Sequence, residues 1–269
     1  MQLGISTYSF PWSVGIKDFP PTHPLTATEL LQYAAEKNIR YIQFADNYPL
    51  HLLELQELNE LKKKADHLNL KIQVGTRKLT VENIITYISI ATIMETDFIR
   101  IVIDDENYHP SESHVIEVIN QVLPYLNAAK LRLAIENHDR FPSKTLKHII
   151  ESTDDDLIAI CLDSANSLGT GEGLGEVVSV LARYTVNLHI KDFTIQRLHH
   201  KMGFRITGCI AGEGMVNIPS LVNEVKNYGR CHSAILELWS EPKSTINETI
   251  LNEKRSAERS IKYLKTILS

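Results

Sequence analysis

The amino-acid sequence predicts an α/β protein folded as a (β/α)8 TIM barrel in a single domain, and three observations carry that prediction. Short β-rich runs recur eight times along the 269 residues. Amphipathic stretches with apolar residues at three- and four-residue spacing fill the intervals, and the last four runs each carry an ionisable side chain at or one residue before their end. Strands alternating with helices imply a parallel sheet built through right-handed crossovers. Closing that sheet brings the C-terminal ends of its strands to one mouth, where the four ionisable residues would converge. An open doubly wound sheet is the structural rival, and it gives those four ends no common cavity.

In chain order, Gln2 to Thr7 reads as the first strand. Thr26-Ala27-Thr28-Glu29 then opens the helix Thr28 to Lys37 by putting a hydroxyl ahead of a helical run with an acid in its first turn. Tyr41 to Phe44 is the second strand, followed by the amphipathic run His51 to His67, with Lys62-Lys63-Lys64 on its exposed face. Lys71 to Gly75 is the third strand, and Thr80-Val81-Glu82-Asn83 repeats the capping pattern ahead of the helix Val81 to Glu95. Phe98 to Ile103 pairs with the helix Ser113 to Asn127, Leu131 to Glu136 with Ser143 to Glu151, and Leu157 to Asp163 with Leu174 to Tyr184. Thr185 to Ile190 precedes the helix Ile218 to Tyr228, where Pro219 suits an early helical position, and Ser233 to Glu237 precedes the closing helix Asn247 to Leu268. Two connections exceed what a plain barrel needs: Pro11 to Pro24, and Phe193 to Asn217, rich in glycine and basic residues. Both follow strands, so both are expected at the C-terminal face as lids or substrate walls.

Composition narrows the function. With 43% hydrophobic residues the chain can bury a full core, and a barrel of this kind uses about 250 residues, so 1–269 is read as one barrel. A formal charge of −5 gives no general attraction to phosphate backbones or anionic lipid, so nucleic acid is not an expected partner. Cys161, Cys209 and Cys231 are odd in number and form no Cys-x-x-Cys pair, and Met1-Gln2-Leu3-Gly4-Ile5 lacks a basic region followed by an apolar run. The expectation is a cytoplasmic protein with reduced thiols. No stretch approaches the roughly 18 apolar residues of a spanning helix, so no membrane association is expected.

Glu136, Asp163, His189 and Glu237 stand at the ends of strands five, six, seven and eight. Taken singly, each carboxylate is readable as a helix cap or a solvated turn residue. Taken together, three carboxylates and one imidazole suit Mn²⁺, Mg²⁺ or Co²⁺, with Zn²⁺ as a further candidate. A carboxylate on each side of a sugar carbon can exchange a proton with it while a cation holds the neighbouring carbonyl oxygen and stabilises the enediolate. Arg77, after Val74-Gly75-Thr76, and Lys191, two residues past His189, are candidates to anchor an acidic substrate. Arg197 and Arg205 are either further anchors or solvated loop residues. His138, two residues after Glu136, faces the site or makes a structural hydrogen bond. Trp12 and Trp239 offer either a flat wall for a sugar face or packing under the loops. His199-His200 reads as loop surface, and Gly171-Glu172-Gly173 and Gly212-Glu213-Gly214 as turns.

Along essentially its whole length the chain resembles the xylose isomerase-like TIM barrels, the sugar phosphate isomerase and epimerase group that includes tagatose 3-epimerase. The resemblance rests on Leu3-Gly4-Ile5-Ser6-Thr7-Tyr8, Ile135-Glu136-Asn137-His138, Leu162-Asp163-Ser164-Ala165-Asn166, His189-Ile190-Lys191-Asp192, Gly212-Glu213-Gly214 and Leu236-Glu237. It implies that Glu136, Asp163, His189 and Glu237 bind one divalent metal and that Glu136 and Glu237 are the catalytic acid/base pair. It also implies a small carbohydrate substrate and a homo-oligomer. Two positions depart from the pattern. Asn166 stands where many relatives carry histidine, which puts it among the substrate contacts, and the second strand ends in Gln43 where an acid is common. A finer resemblance is to the 3-oxo-isoapionate decarboxylases, through Glu136 to Phe141, Asn166-Ser167 and Met202-Gly203-Phe204. The leading expectation is therefore a metal-dependent isomerase or epimerase of a small keto sugar or sugar acid; a lyase acting on a β-keto acid with the same site is the alternative. Endonuclease IV shares the barrel but gathers three zinc ions through extra histidines, which Asn166 and Gln43 do not supply. A non-catalytic sugar-binding barrel is the remaining class.

Overall fold

The computed structural model describes residues 1–268. Its eight barrel strands are β1 (Gln2–Ser6), β2 (Tyr41–Phe44), β3 (Lys71–Arg77), β4 (Phe98–Val102), β5 (Arg132–Glu136), β6 (Ile158–Asp163), β7 (Thr185–Ile190) and β10 (Ser233–Leu236). They are all parallel and closed, with β10 hydrogen-bonded to both β7 and β1. Helices α2 (Ala27–Glu36), α3 (Leu55–His67), α4 (Val81–Met94), α5 (Glu112–Ala129), α6 (Ser143–Glu151), α7 (Leu174–Leu181), α8 (Ile218–Lys226) and α9 (Ile246–Leu268) surround it. Helix α2 begins where the sequence signals it: Thr26 Oγ1 accepts from the Glu29 amide at 3.2 Å and the Glu29 carboxylate accepts from the Thr26 amide at 2.8 Å. No helix among the described residues is long and apolar enough to cross a membrane.

Strand alternation sorts the side chains into two environments. Ile5, Ile42, Ile99, Ile135, Ile160, Leu188 and Leu236 form one continuous core with Leu31, Leu61, Ile84, Ile119, Ile149, Leu181, Val222 and Leu264 of the helices. Burial between sheet and helix ring removes apolar surface from water at about 25 cal/mol per Å². The barrel's inner face carries a small separate apolar cluster, with Phe98, Ala134 and Ala159, and beside it a polar layer. Gln43 Nε2 donates to Asn187 Oδ1 at 3.0 Å, Gln73 Nε2 and Asn187 Nδ2 each donate to Ser233 Oγ at 2.8 Å, and the Cys161 thiol donates to Asn187 Oδ1 at 3.2 Å. Gln43, the position where an acid is common in the resembled family, thus belongs to a buried hydrogen-bonded layer beneath the mouth.

The two long connections carry structure of their own. Within Phe193 to Asn217, read from the sequence as loop, β8 (Phe193–Arg197) and β9 (Phe204–Gly208) form an antiparallel hairpin with Phe193 opposite Gly208. Alternation over Thr194-Ile195-Gln196 and Arg205-Ile206-Thr207 suits a two-stranded ribbon. Asp192 fastens its base, accepting from the amides of Gly212 at 2.9 Å, Gly214 at 3.0 Å and Val216 at 3.1 Å. Within Pro11 to Pro24, α1 (Pro11–Val14) is one short turn whose first amides have no partner inside the helix. Glu253 of α9 supplies it, accepting from the Trp12 amide at 2.8 Å, the Ser13 amide at 3.0 Å and the Ser13 hydroxyl at 2.6 Å.

Among the described residues no cation forms a salt bridge with Glu253, and burial pushes its carboxyl up from 4.5 to about 7. The native state therefore holds a proton that the unfolded chain has released, so the stability this group contributes is full below pH 4.5 and is lost as the pH rises to about 7. Glu253→Gln is expected to remove that loss. Thermal unfolding followed from pH 4.5 to about 7 should show the variant gaining Tm relative to the parent as pH rises, and a constant gap would contradict the assignment.

Candidate metal centre at the barrel mouth

Strand register fixes the upper inward layer. The β6–β7 ladder sets Asp163 opposite His189, the β5–β6 ladder sets Glu136 opposite Cys161, and the Glu237 amide continues the β10–β7 pairing one residue past the strand by donating to Ile190 O at 3.0 Å. The four residues that the sequence places at successive strand ends are thereby neighbours. Nδ1 of His189 lies 3.3 Å from Glu237 Oε1, 3.4 Å from Glu136 Oε2 and 4.0 Å from Asp163 Oδ2. Asp163 is held by the amides of Ala165 and Asn166, which donate to Oδ1 at 2.7 and 2.8 Å, and Ser6 Oγ donates to Glu237 Oε1 at 3.2 Å.

His189 is completely buried, yet neither ring nitrogen has a hydrogen-bond partner. An orphaned buried imidazole is costly, and here it faces three carboxylates. Asp163, His189 and Glu237 offer donor atoms within 4.8 Å of one another. This oxygen-rich set with one imidazole fits a divalent cation, and Glu136, Asp163, His189 and Glu237 are the side chains that could hold it.

Two cations hold the carboxylates. Arg100, from the middle of β4, pairs through Nε with Glu136 Oε2 and through a terminal nitrogen with Asp46 Oδ1 at 2.6 Å. Asp46 Oδ2 in turn stands 2.9 Å from Arg77 Nε and accepts from the Tyr8 hydroxyl at 3.0 Å. Gly75 leaves the room this needs, since a Cβ there would come within 3.1 Å of Arg100 Cδ. Lys191 Nζ lies 3.0 Å from Asp163 Oδ2 and 3.1 Å from Glu237 Oε2, and donates to Asn166 Oδ1 at 3.3 Å. Asn166 bridges the two halves by donating to Glu136 Oε1 at 2.8 Å. Burial is the largest single effect and opposes charge on Glu136 and Asp46, but it is outweighed at Glu136 chiefly by Arg100 and His189 together, and at Asp46 by Arg100, Arg77 and the Tyr8 hydroxyl together. Both carboxyls stay below the usual range. Burial likewise opposes charge on Lys191, and the surrounding carboxylates raise its pKa above that of an ordinary lysine.

Above this floor opens a cavity of about 610 Å³, walled by Tyr8, Trp12, Arg77, His138, Lys191 and Trp239 among others, with Ile206 to Gly208 of the hairpin on one side. His138 reaches that wall and also packs its Nδ1 3.1 Å from Asp139 Oδ2. The Trp12 indole donates to Ser240 O at 2.7 Å, and Lys191 Nζ sits 5.3 Å from the centre of the Trp239 ring. Arg197 and Arg205 are exposed on the hairpin, Arg205 pairing with Glu241 at 2.5 Å, and His199 and His200 lie exposed at its turn. Sequence reasoning missed Arg100 and Asp46. A lone charge inside the apolar run Phe98-Ile99-Arg100-Ile101-Val102 was the available signal for the first.

A family model described as xylose isomerase-like TIM barrel matches residues 31–267. A 3-oxo-isoapionate decarboxylase of Pectobacterium atrosepticum is 27% identical over 266 residues, covering 99% of this chain and 96% of that protein. Among solved structures, D-psicose 3-epimerase with D-tagatose from Clostridium cellulolyticum superposes with a TM-score of 0.74 over the full length of both chains at 13% identity. A xylose isomerase-like TIM barrel protein from Mycobacterium smegmatis in complex with magnesium gives 0.69 over 98% of this chain and 97% of that one at 12% identity. At such identities the solved structures establish the fold alone.

Arg100→Met would leave Glu136 and Asp46 buried without their shared cation. A loss of roughly 3–5 kcal/mol in unfolding free energy is expected by denaturant titration without added metal. A change below about 1 kcal/mol would show that the guanidinium is not what balances these carboxylates.

Proposed function

The chain belongs to the xylose isomerase-like TIM-barrel family, and from that premise we propose that residues 1–269 work as one metal-dependent lyase that releases carbon dioxide from a small β-keto sugar acid. The observation that carries the reading is the engagement of Glu136, whose two oxygens already accept from Asn166 and Arg100. Epimerisation asks a carboxylate on each face of one carbon to take and return a proton. A carboxylate held below the usual range by a buried arginine is a weak base for that task. Decarboxylation asks for no proton abstraction: the bond between the α-carbon and the carboxylate breaks, its electron pair moves toward the neighbouring ketone, and one solvent proton completes the product.

In this reading Glu136, Asp163, His189 and Glu237 hold the divalent ion. Bound there, the ion would supply Lewis acidity, drawing charge onto the ketone oxygen as the carbon–carbon bond breaks. With that ion, Arg77, Arg100 and Lys191 outweigh the charge of Glu136, Asp163, Glu237 and Asp46, which favours an anionic substrate. Of the two guanidiniums that line the cavity, Arg77 is the better exposed to fork a carboxylate, with its side chain 35% accessible. Asn166 and Lys191 fix the floor, His138 contributes from the wall, and Trp12 and Trp239 offer flat faces to a sugar chain. The full-length similarity to a decarboxylase agrees with this choice.

The second reading, an isomerase or epimerase of a keto sugar, is favoured by Glu136 and Glu237 lying at 3.4 and 3.3 Å from one imidazole nitrogen, as a two-carboxylate proton relay would need. One experiment separates the two. The protein loaded with Mn²⁺ and offered 3-oxo sugar acids should release CO₂, chelator should abolish the release, and His189→Ala should lose at least about a hundredfold in kcat/KM, near 2.7 kcal/mol. Exchange of substrate carbon-bound protons with D₂O without CO₂ release would reject the lyase in favour of the isomerase.

A further inference from the structure

Cys161 stands outside the ligand set proposed above, yet it is the soft donor nearest to it. It precedes Asp163 by two residues on β6 and so shares the inward face one step deeper in the barrel, directly opposite Glu136 in the β5–β6 ladder. Its sulfur, a Glu136 carboxylate oxygen and a His189 ring nitrogen lie within 4.8 Å of one another, and all three side chains are buried. His189 adds an independent observation. Both of its ring nitrogens are buried without partners, so the imidazole is free to serve either ligand set.

We infer that Glu136, Cys161 and His189 form a second, sulfur-containing ligand set beneath the oxygen-rich one, taken by thiophilic divalent ions such as Zn²⁺, Cd²⁺ or Co²⁺. A thiolate favours these ions far more than it favours Mn²⁺ or Mg²⁺. Donor atoms on one tetrahedral ion stand roughly 3.3–3.8 Å apart, given metal–ligand bonds of about 2.0–2.3 Å, so the cluster needs to tighten by about 1 Å. As the metal–sulfur bond forms the S–H bond breaks and the proton leaves to solvent, with no change in oxidation state. Because Glu136 and His189 serve both sets, the two occupancies exclude each other. Thiophilic ions then act as inhibitors where Mn²⁺ supports turnover. The inference rests on the metal-site reading above and deepens it by assigning the site a choice between two classes of ion.

Cobalt titration of the full-length protein tests this by absorption. One equivalent of Co²⁺ should give a thiolate-to-cobalt charge-transfer band in the near ultraviolet together with visible bands. Cys161→Ser should keep the visible bands and lose the near-ultraviolet one, and its Cd²⁺ affinity should fall at least about tenfold while Mn²⁺ affinity moves less than about threefold. The double variant Cys209→Ser with Cys231→Ser leaves Cys161 as the single thiol and should retain both bands, which keeps the test decisive if Cys161→Ser folds poorly. Visible bands without the near-ultraviolet band in the parent protein would overturn the inference and leave the metal-site reading standing. No cobalt absorption of either kind would overturn both.

Discussion

Three carboxylates and an imidazole crowd one end of a barrel from which water is nearly excluded, and they stay there only if cations neutralise them. Moving an isolated carboxylate from water into such a setting costs several kcal/mol. Glu136, Asp163 and Glu237 are each at most 2% exposed. Arg100 answers on one side, bridging Glu136 and Asp46, and Lys191 on the other, bridging Asp163 and Glu237. Asn166 ties the two halves together. What this leaves uncompensated is the imidazole of His189, and that residual need points to a bound ion.

The rest of the architecture keeps these groups from relaxing. Outward-facing Ile and Leu residues lock each strand to the helix ring, so no strand can slip its register without carrying polar side chains into the apolar layer. Inside, the Gln43, Gln73, Asn187 and Ser233 network pairs the polar groups directly below the site except Gln43 Oε1, which has no partner. The walls above are built differently: a hairpin anchored through Asp192 and a single helical turn anchored through Glu253. Those parts wall the cavity, while the strands carry the charged groups of its floor.

Much of this was readable in the sequence. Ile135-Glu136, Leu162-Asp163, Leu188-His189 and Leu236-Glu237 each set an ionisable residue after apolar ones, and strand order then predicts convergence on a common mouth. Arg100 was not readable in the same way, because the meaning of a charge within an apolar strand depends on which face the closed barrel turns inward. Asp46 escaped for a related reason. The second strand ends at Gln43-Phe44, and only the tertiary approach of Arg100 and Arg77 distinguishes an acid two residues later from a solvated turn. The hairpin was hidden by its connection length, since its alternation competes with glycines and basic residues that read as loop. Glu253 lay on an amphipathic helix otherwise rich in exposed charge, and its role exists only because α1 docks on it.

The most direct measurement is anomalous diffraction from crystals soaked in Mn²⁺. The account predicts one strong peak bonded to Glu136, Asp163, His189 and Glu237, with Arg100 still joining Glu136 to Asp46. A peak elsewhere, or any two of those four side chains turned into separate regions of the molecule, would contradict it.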